Sequence, residues 1–289
     1  MVLVGAGVFF MAIIFAIIFA FSQSSLDFAV GGLGGRIAIV EVTGVINGSD
    51  DVVRQIKKYK DDHSIEAIVL RVDSPGGGVA ASQEIYDQLL KFKEGDRHIV
   101  VSMGSVAASG GYYVSCAADT IFANPGTITG SIGVIFEFPV LQELMDKVGI
   151  KMEVIKSGAL KDVGNPARKM NAEEQKMLQS VIDDTYLQFV DVVAKNRHLE
   201  SRYVKGLADG SIYTGRQAMQ LGLVDKMGSL DDAIAVAGKM CNLGEHPRVV
   251  KERRYMVPWW QAFAGKLGLD FINSKIIHQW PTLEYRYEM

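Results

Sequence analysis

Ser109 stands in the run Ala108-Ser109-Gly110-Gly111-Tyr112-Tyr113, where a strand-like stretch beginning near His98 gives way to a helix-like one. A serine held among small residues at a strand-to-helix turn is one way to expose a hydroxyl nucleophile. A hydroxyl attacks only when a base removes its proton. Residues 101–121 contain neither His nor Lys, so the base has to come from elsewhere in the chain. A second turn, Asp73-Ser74-Pro75-Gly76-Gly77-Gly78, also follows an apolar run and precedes a helical one. Its glycines free the backbone and leave N–H groups open to a ligand. The phosphate-loop pattern Gly-x-x-x-x-Gly-Lys is absent, as is Gly-x-Gly-x-x-Gly. Taken alone, the turn leaves an oxyanion hole and a plain connection level. Paired with Ser109-Gly110-Gly111 on a neighbouring unit of one sheet, it could line the same cleft edge. One turn would supply a hydroxyl and the other a backbone donor, with the Gly110 N–H as a second donor, which is what acyl transfer requires.

The five histidines, at 63, 98, 198, 246 and 278, lie away from both turns. His63 and His198 sit among charged neighbours, although a partner distant in sequence stays open. Lysine is the other candidate. Lys161, in Ser157-Gly158-Ala159-Leu160-Lys161-Asp162-Val163-Gly164, occupies a small-residue loop rather than a charged helix face. A lysine acting as a base must be neutral, which burial in a water-poor cleft favours. A solvated surface charge is the ordinary role of any single lysine, so context has to decide.

These residues need a scaffold, and the chain offers one. Apolar runs at 37–43, 65–72, 98–103 and 120–123 alternate with helical patterns at 50–60, 80–92 and 110–118. Further strands are expected over 127–135 and 151–155, with a helix over 140–148 between them. A long helix opens at the cap Asn171 and reaches about 195, and a helical group broken at Gly210, Gly222 and Gly228 runs over 203–240. Alternating strands and helices predict a layered α/β domain with helices covering the sheet. There is no internal repeat. All three tryptophans, at 259, 260 and 280, lie in a C-terminal tail of mixed apolar and basic character. A membrane-interface segment, a cover for a neighbouring subunit and a helix packed on its own domain all fit that tail.

Residues 2–21 carry no charge. Twenty residues of helix span about 30 Å, the thickness of a hydrocarbon core, so a single membrane anchor is expected over 1–22. Cleavage after Ser22-Gln23-Ser24 is the alternative. A Gly- and Ser-rich linker over 23–35, a catalytic domain over 36–240 and a tail over 241–289 complete the expected organisation. The formal charge of −3 comes without blocks of like charge, so nothing points to nucleic acid. Two cysteines, 116 and 241, are too few for a disulfide framework and lack metal-ligand spacing. Cys116, at helical spacing after Tyr112, reads as a buried structural thiol.

Taken in order, Ser74-Pro75-Gly76-Gly77-Gly78, Ala108-Ser109-Gly110-Gly111-Tyr112-Tyr113, Thr129-Gly130-Ser131-Ile132-Gly133-Val134 and Ser157-Gly158-Ala159-Leu160-Lys161-Asp162 resemble the signal peptide peptidase A family. These are membrane-anchored Ser–Lys proteases with a fold related to Clp protease and crotonase. The resemblance covers about 36–240 and includes the closing segment around Leu221-Gly222-Leu223-Val224-Asp225. It implies Ser109 as nucleophile, Lys161 as general base, Ser131 as the serine that orients the lysine, and Gly77 and Gly110 as oxyanion-hole donors. It implies no metal and no cofactor. It also implies a homo-oligomeric ring in which Ser109 of one subunit meets Lys161 of the next, and a catalytic domain on the extracytoplasmic side of a cell membrane. Expected substrates are cleaved signal peptides and other short apolar peptides. A specific membrane-protein substrate, an acyl-CoA enzyme of the same fold and an inactive scaffold are the alternatives. Leu160 departs from the family, in which an aromatic residue more often precedes the lysine, and puts the substrate preference in doubt.

Overall fold

Runs of branched apolar residues without alternation are stable as strands only when both faces are covered, which a parallel sheet between helical layers provides. The computed structural model, which describes residues 35–252 and 284–286, builds such a sheet. Its centre is β1 (Arg36–Thr43), β2 (Ile65–Ser74) and β4 (His98–Ala108), paired in parallel in the order β4-β2-β1. Their side chains divide by parity. Ala38, Val40 and Val42 share one face with Ile68, Leu70 and Val72, and pack with Ile56 of α1 (Asp50–Asp61) and with Ile85 and Leu89 of α2 (Val79–Lys93). Ile37, Ile39, Ala67, Val69 and Val100 turn to the other face, under Ala233 and Ala237 of α8 (Leu230–Met240). Full burial of each such aliphatic side chain contributes about 1.5–3 kcal/mol.

The eleven-residue β4 forks, and the fork places the site. Val100–Ser102 pair with β5 (Thr120–Ala123), whereas Val106–Ala108 pair with β6 (Ile128–Gly130). β6 is followed across the sheet by antiparallel β7 (Ile212–Thr214), and β5 by β8 (Lys226–Met227). Between β4 and β5 lies the short helix α3 (Gly110–Ser115), all six residues of which are buried. β9 (Val249–Lys251) extends the sheet beside β1. The turn 76–78 is itself a short strand, β3 (Gly76–Gly78), which pairs antiparallel with β10 (Glu284–Arg286) from the C-terminal end.

Beyond β6 the chain leaves the sheet. It forms α4 (Gln142–Val148), a turn-rich segment, and then the 26-residue α5 (Ala172–Arg197). Asn171 caps α5 in a reciprocal capping box with Glu174, as its position predicts. α6 (Ser201–Leu207) and α7 (Gly215–Gln220) then lead to β8 and α8.

Two sequence expectations are corrected here. The strand expected over 127–135 is limited to three residues, because Thr127 Oγ1 is bonded to the Gly104 carbonyl and Gly130 and Ser131 both turn to positive φ. No strand forms over 151–155 among the described residues: every one of those side chains is exposed. The anchor expected over 1–22 lies outside the described residues, as do nearly all of the linker and the Trp-rich part of the tail. Among the described residues no helix is long and apolar enough to cross a membrane.

Candidate active site

Ser109 joins β4 to α3 with φ 53° and ψ −117°. A side-chain-bearing residue in this region is strained by about 1–3 kcal/mol and persists only where its surroundings fix it. Here they do. Its N–H donates to the Gly130 carbonyl at 2.8 Å, and its carbonyl accepts the Tyr113 N–H at 2.8 Å. Ser131 repeats the pattern on the adjacent strand end, with φ 49° and its N–H bonded to Ser211 O at 2.8 Å. Both serines line one cavity of ≈ 390 Å³, so the structure brings these two expected site residues together.

The glycine turn meets the serine turn directly. A Cβ on Gly111 would lie 2.7 Å from the Ser74 carbonyl oxygen, a contact open only to glycine. Ser74 Oγ in turn donates to the Gly44 carbonyl and accepts the Gly76 N–H, which fixes the start of β3. Gly77, at φ 154°, has no room for a side chain: its Cβ would fall 2.4 Å from the Ile46 carbonyl oxygen. Ile46 holds both flanks, donating to Gly76 O and accepting from Gly78 N, each at 2.8 Å. Gly110 begins α3 immediately after Ser109.

The other serines of the stretch have structural partners or none: Ser102 accepts from Arg71 and Ser115 donates to the Gly111 carbonyl, while Ser105 is exposed on β4. Tyr112 and Tyr113 are core residues. The Tyr112 hydroxyl donates to the Leu223 carbonyl, and the Tyr113 ring packs edge-on against Tyr86 and Phe189. Burial pushes the Cys116 thiol up to about 12, so it is an inert core thiol at neutral pH.

The cavity has apolar walls in Val134, Ile135, Ile182 and Tyr186, with Gln179, Asp183 and Asp209 among its polar lining. Sequence reasoning did not single these out. Residues 179, 182, 183 and 186 share one face of α5 at helical spacing, a detectable signal, but the spacing does not say what that face meets. The titratable side chains on the lining are Asp183, Tyr186 and Asp209. Hydrogen bonds from the side chain and N–H of Ser211 hold the Asp209 carboxyl below its usual range, and burial raises the Tyr186 phenol. A carboxylate so stabilised is a poor base for a hydroxyl. No described histidine lines the cavity, and no described residue hydrogen-bonds the Ser109 hydroxyl.

Lys161 lies elsewhere. It is exposed, on the turn-rich segment that follows α4, and it does not line the cavity at Ser109. Its backbone N–H closes a turn to the Gly158 carbonyl at 3.2 Å, and its ammonium has no hydrogen bond or ion pair among the described residues. Among the described residues Ser109 therefore has a shaped cleft and glycine turns beside it, and no lysine or histidine on the cavity lining. Among the described residues no group of three or more His, Cys, Asp or Glu is disposed to hold a metal.

The sequence profile of peptidase family S49 matches residues 91–244, and that of Clp protease matches residues 36–127. The chain belongs to peptidase family S49. Among its relatives are slr0021 of Synechocystis sp., 46% identical over 209 residues, and Protease 4 of Haemophilus influenzae, 36% identical over 218 residues. An Enterococcus faecium protein whose name ties it to signal peptide peptidase SppA is 44% identical over 180 residues. These matches cover 72%, 72% and 62% of this chain, and 75%, 35% and 52% of the respective relatives. The chain thus spans only a third to a half of the last two. Family S49 membership makes the chain a serine protease with a Clp-like α/β fold, and the resemblance to signal peptide peptidase A holds.

Proposed function

We propose that this S49 chain is a membrane-anchored serine endopeptidase whose active site is completed between two copies, with Ser109 from one and Lys161 from the next. The observation that carries this reading is the division of the site: among the described residues a strained serine beside paired glycine turns has no lysine or histidine in its cleft, while Lys161 is exposed and without an ion pair. The surface around Lys161 supports it too. α4 has no buried residue, and Leu144 (58% exposed), Val148, Ile150, Met152 and Ile155 (98% exposed) leave apolar area in water. An exposed patch of this kind gains by being covered, and a second copy would bring Lys161 with it.

The chemistry then runs on this chain's residues. Neutral Lys161 of the neighbouring copy accepts the Ser109 proton as Oγ attacks a peptide carbonyl. The Gly77 and Gly110 N–H groups stabilise the oxyanion. The protonated lysine gives its proton to the leaving amine, and then activates the water that releases the acyl group. Ser131, on the same cavity wall, orients the lysine. The apolar walls suit the side chains of short apolar peptides such as cleaved signal peptides. The edge of β3 takes β10 as an antiparallel strand, so extended chain fits beside Gly77, and a substrate strand would have to replace β10 there. Anchoring by residues 1–22 and an extracytoplasmic catalytic domain belong to the same proposal.

Hydrolysis of short apolar peptides by the full-length protein in detergent tests the dyad. Ser109→Ala and Lys161→Ala should each lose activity by about 10⁴-fold or more, with assembly intact. Activity surviving in Ser109→Ala would refute the reading.

A further inference from the structure

Lys161 sits on a segment with little apolar packing: residues 151–159 are all exposed and α4 buries nothing, and of the segment's glycines only Gly164 meets the Phe138 ring. A catalytic base there still needs a fixed position, since displacement of about 1 Å can cost about 10²-fold in rate. A charged clamp begins at the very next residue. The Asp162 carboxylate, 12% exposed, receives Arg168 through Nε at 3.1 Å and Nη2 at 2.8 Å, and Lys156 through Nζ. Lys156 also donates to the Ala159 carbonyl at 2.9 Å, closing the near side of the turn. Arg168 reaches on through Nη1 to Glu174 Oε2 at 2.8 Å, and through Nη2 to Glu174 Oε1. The Glu174 side chain is fully buried, and it accepts the Asn171 N–H in the capping box of α5. One guanidinium therefore ties the residue after Lys161 to the start of the helix whose next turns line the Ser109 cavity.

We propose that Arg168, bridging Asp162 and Glu174, is the positioning residue of this protease: it sets where Lys161 is presented. The assignment rests on the reading of Lys161 as the base. It also separates the two lysines of the turn. Lys156 is held in an ion pair, whereas Lys161 has none among the described residues. Planar two-pronged contact to two carboxylates is geometry that only arginine supplies, so Arg168→Lys is not a conservative change here.

The test is made on the full-length assembled protein with peptide substrate, each rate normalised to the serine sites that react with a covalent probe. Arg168→Gln should lower kcat per active site by about 10²-fold with KM nearly unchanged. The pH at which kcat reaches half its plateau should rise, because a loosened turn leaves the base better hydrated and its cation favoured. Arg168→Lys should recover only part of the loss. A merely structural role would reduce the number of reactive sites and leave both the normalised kcat and the pH profile of the remainder unchanged, and that result overturns the assignment. Should Arg168→Gln fail to assemble, Asp162→Asn, which keeps the shape and breaks the clamp, must lower the normalised kcat to a similar extent or the assignment falls. Lys161→Ala separates the failures. If it retains activity, the base reading is wrong and the positioning role falls with it; if it is inactive while Arg168→Gln and Asp162→Asn match wild type, only the positioning role is wrong.

Discussion

Ser109, Ser131 and Gly77 each adopt positive φ, and each is held by neighbours that leave no relaxed alternative nearby. Strain at the two serines, together with the φ open only to glycine at Gly77, would keep the proposed nucleophile and oxyanion donor in place before substrate arrives. Gly77 gives the sharpest residue-scale prediction. In Gly77→Ala the new methyl meets the Ile46 carbonyl oxygen, so β3 must shift and its donor N–H loses alignment. With Gly77 as the proposed oxyanion donor, the expected outcome in peptide hydrolysis is a fall in kcat of about 10²–10³-fold, the cost of losing one such donor. Serine reactivity toward a small covalent probe should fall far less, because Ser109 is pinned separately through Gly130 and Tyr113. At this scale the sequence was informative: small residues around Ser109 and the Gly76-Gly77-Gly78 run marked both turns. That Gly111 sits against Ser74 was legible only as a possibility, since contact between turns depends on which strands are neighbours.

Among the elements, α5 is anchored by charge at its start and by apolar packing at its end. Phe189, Val190 and Val193 are buried, whereas the first turn relies on Asn171, Glu174 and Arg168. Hydrogen bonds from Arg168, then from the Asn171 backbone, hold the Glu174 carboxyl down at about 2, below its ordinary 4.5. A depressed carboxyl stabilises the fold above its unfolded value, and that contribution disappears as pH falls through the folded one. Thermal stability should therefore fall as pH drops from about 4.5 to about 2. Glu174→Gln should be less stable near neutrality and show a flatter loss across that window; an unchanged acid slope in the variant would contradict the role given to Glu174. The elements themselves were legible to different degrees. Long apolar runs at 65–72 and 98–103 read directly as strands, and Asn171 read as a cap. β7 and β8 went unseen because two or three residues carry no periodicity. The pattern at 151–155 suggested a strand because its apolar residues do need covering, yet no ladder partner for them lies among the described residues.

At the scale of the whole molecule, the described residues keep the proposed nucleophile Ser109 and the proposed base Lys161 apart: Lys161 does not line the cavity at Ser109. The sequence named both residues, but it could not show that they lie apart, because separation along a chain says nothing about distance in a fold. The exposed apolar face from Leu144 to Ile155 gives a reason for copies to associate, and association would bring the two halves together. Complementation tests this directly. Ser109→Ala and Lys161→Ala proteins, each inactive alone, are mixed under conditions where subunits exchange, and peptide hydrolysis is measured. If the site is shared, hydrolysis returns on mixing, because a Lys161→Ala copy still offers Ser109 to the lysine of a Ser109→Ala neighbour. If fully exchanged mixtures stay inactive, Ser109 and Lys161 do not meet across an interface, and the account of a site completed between copies is wrong.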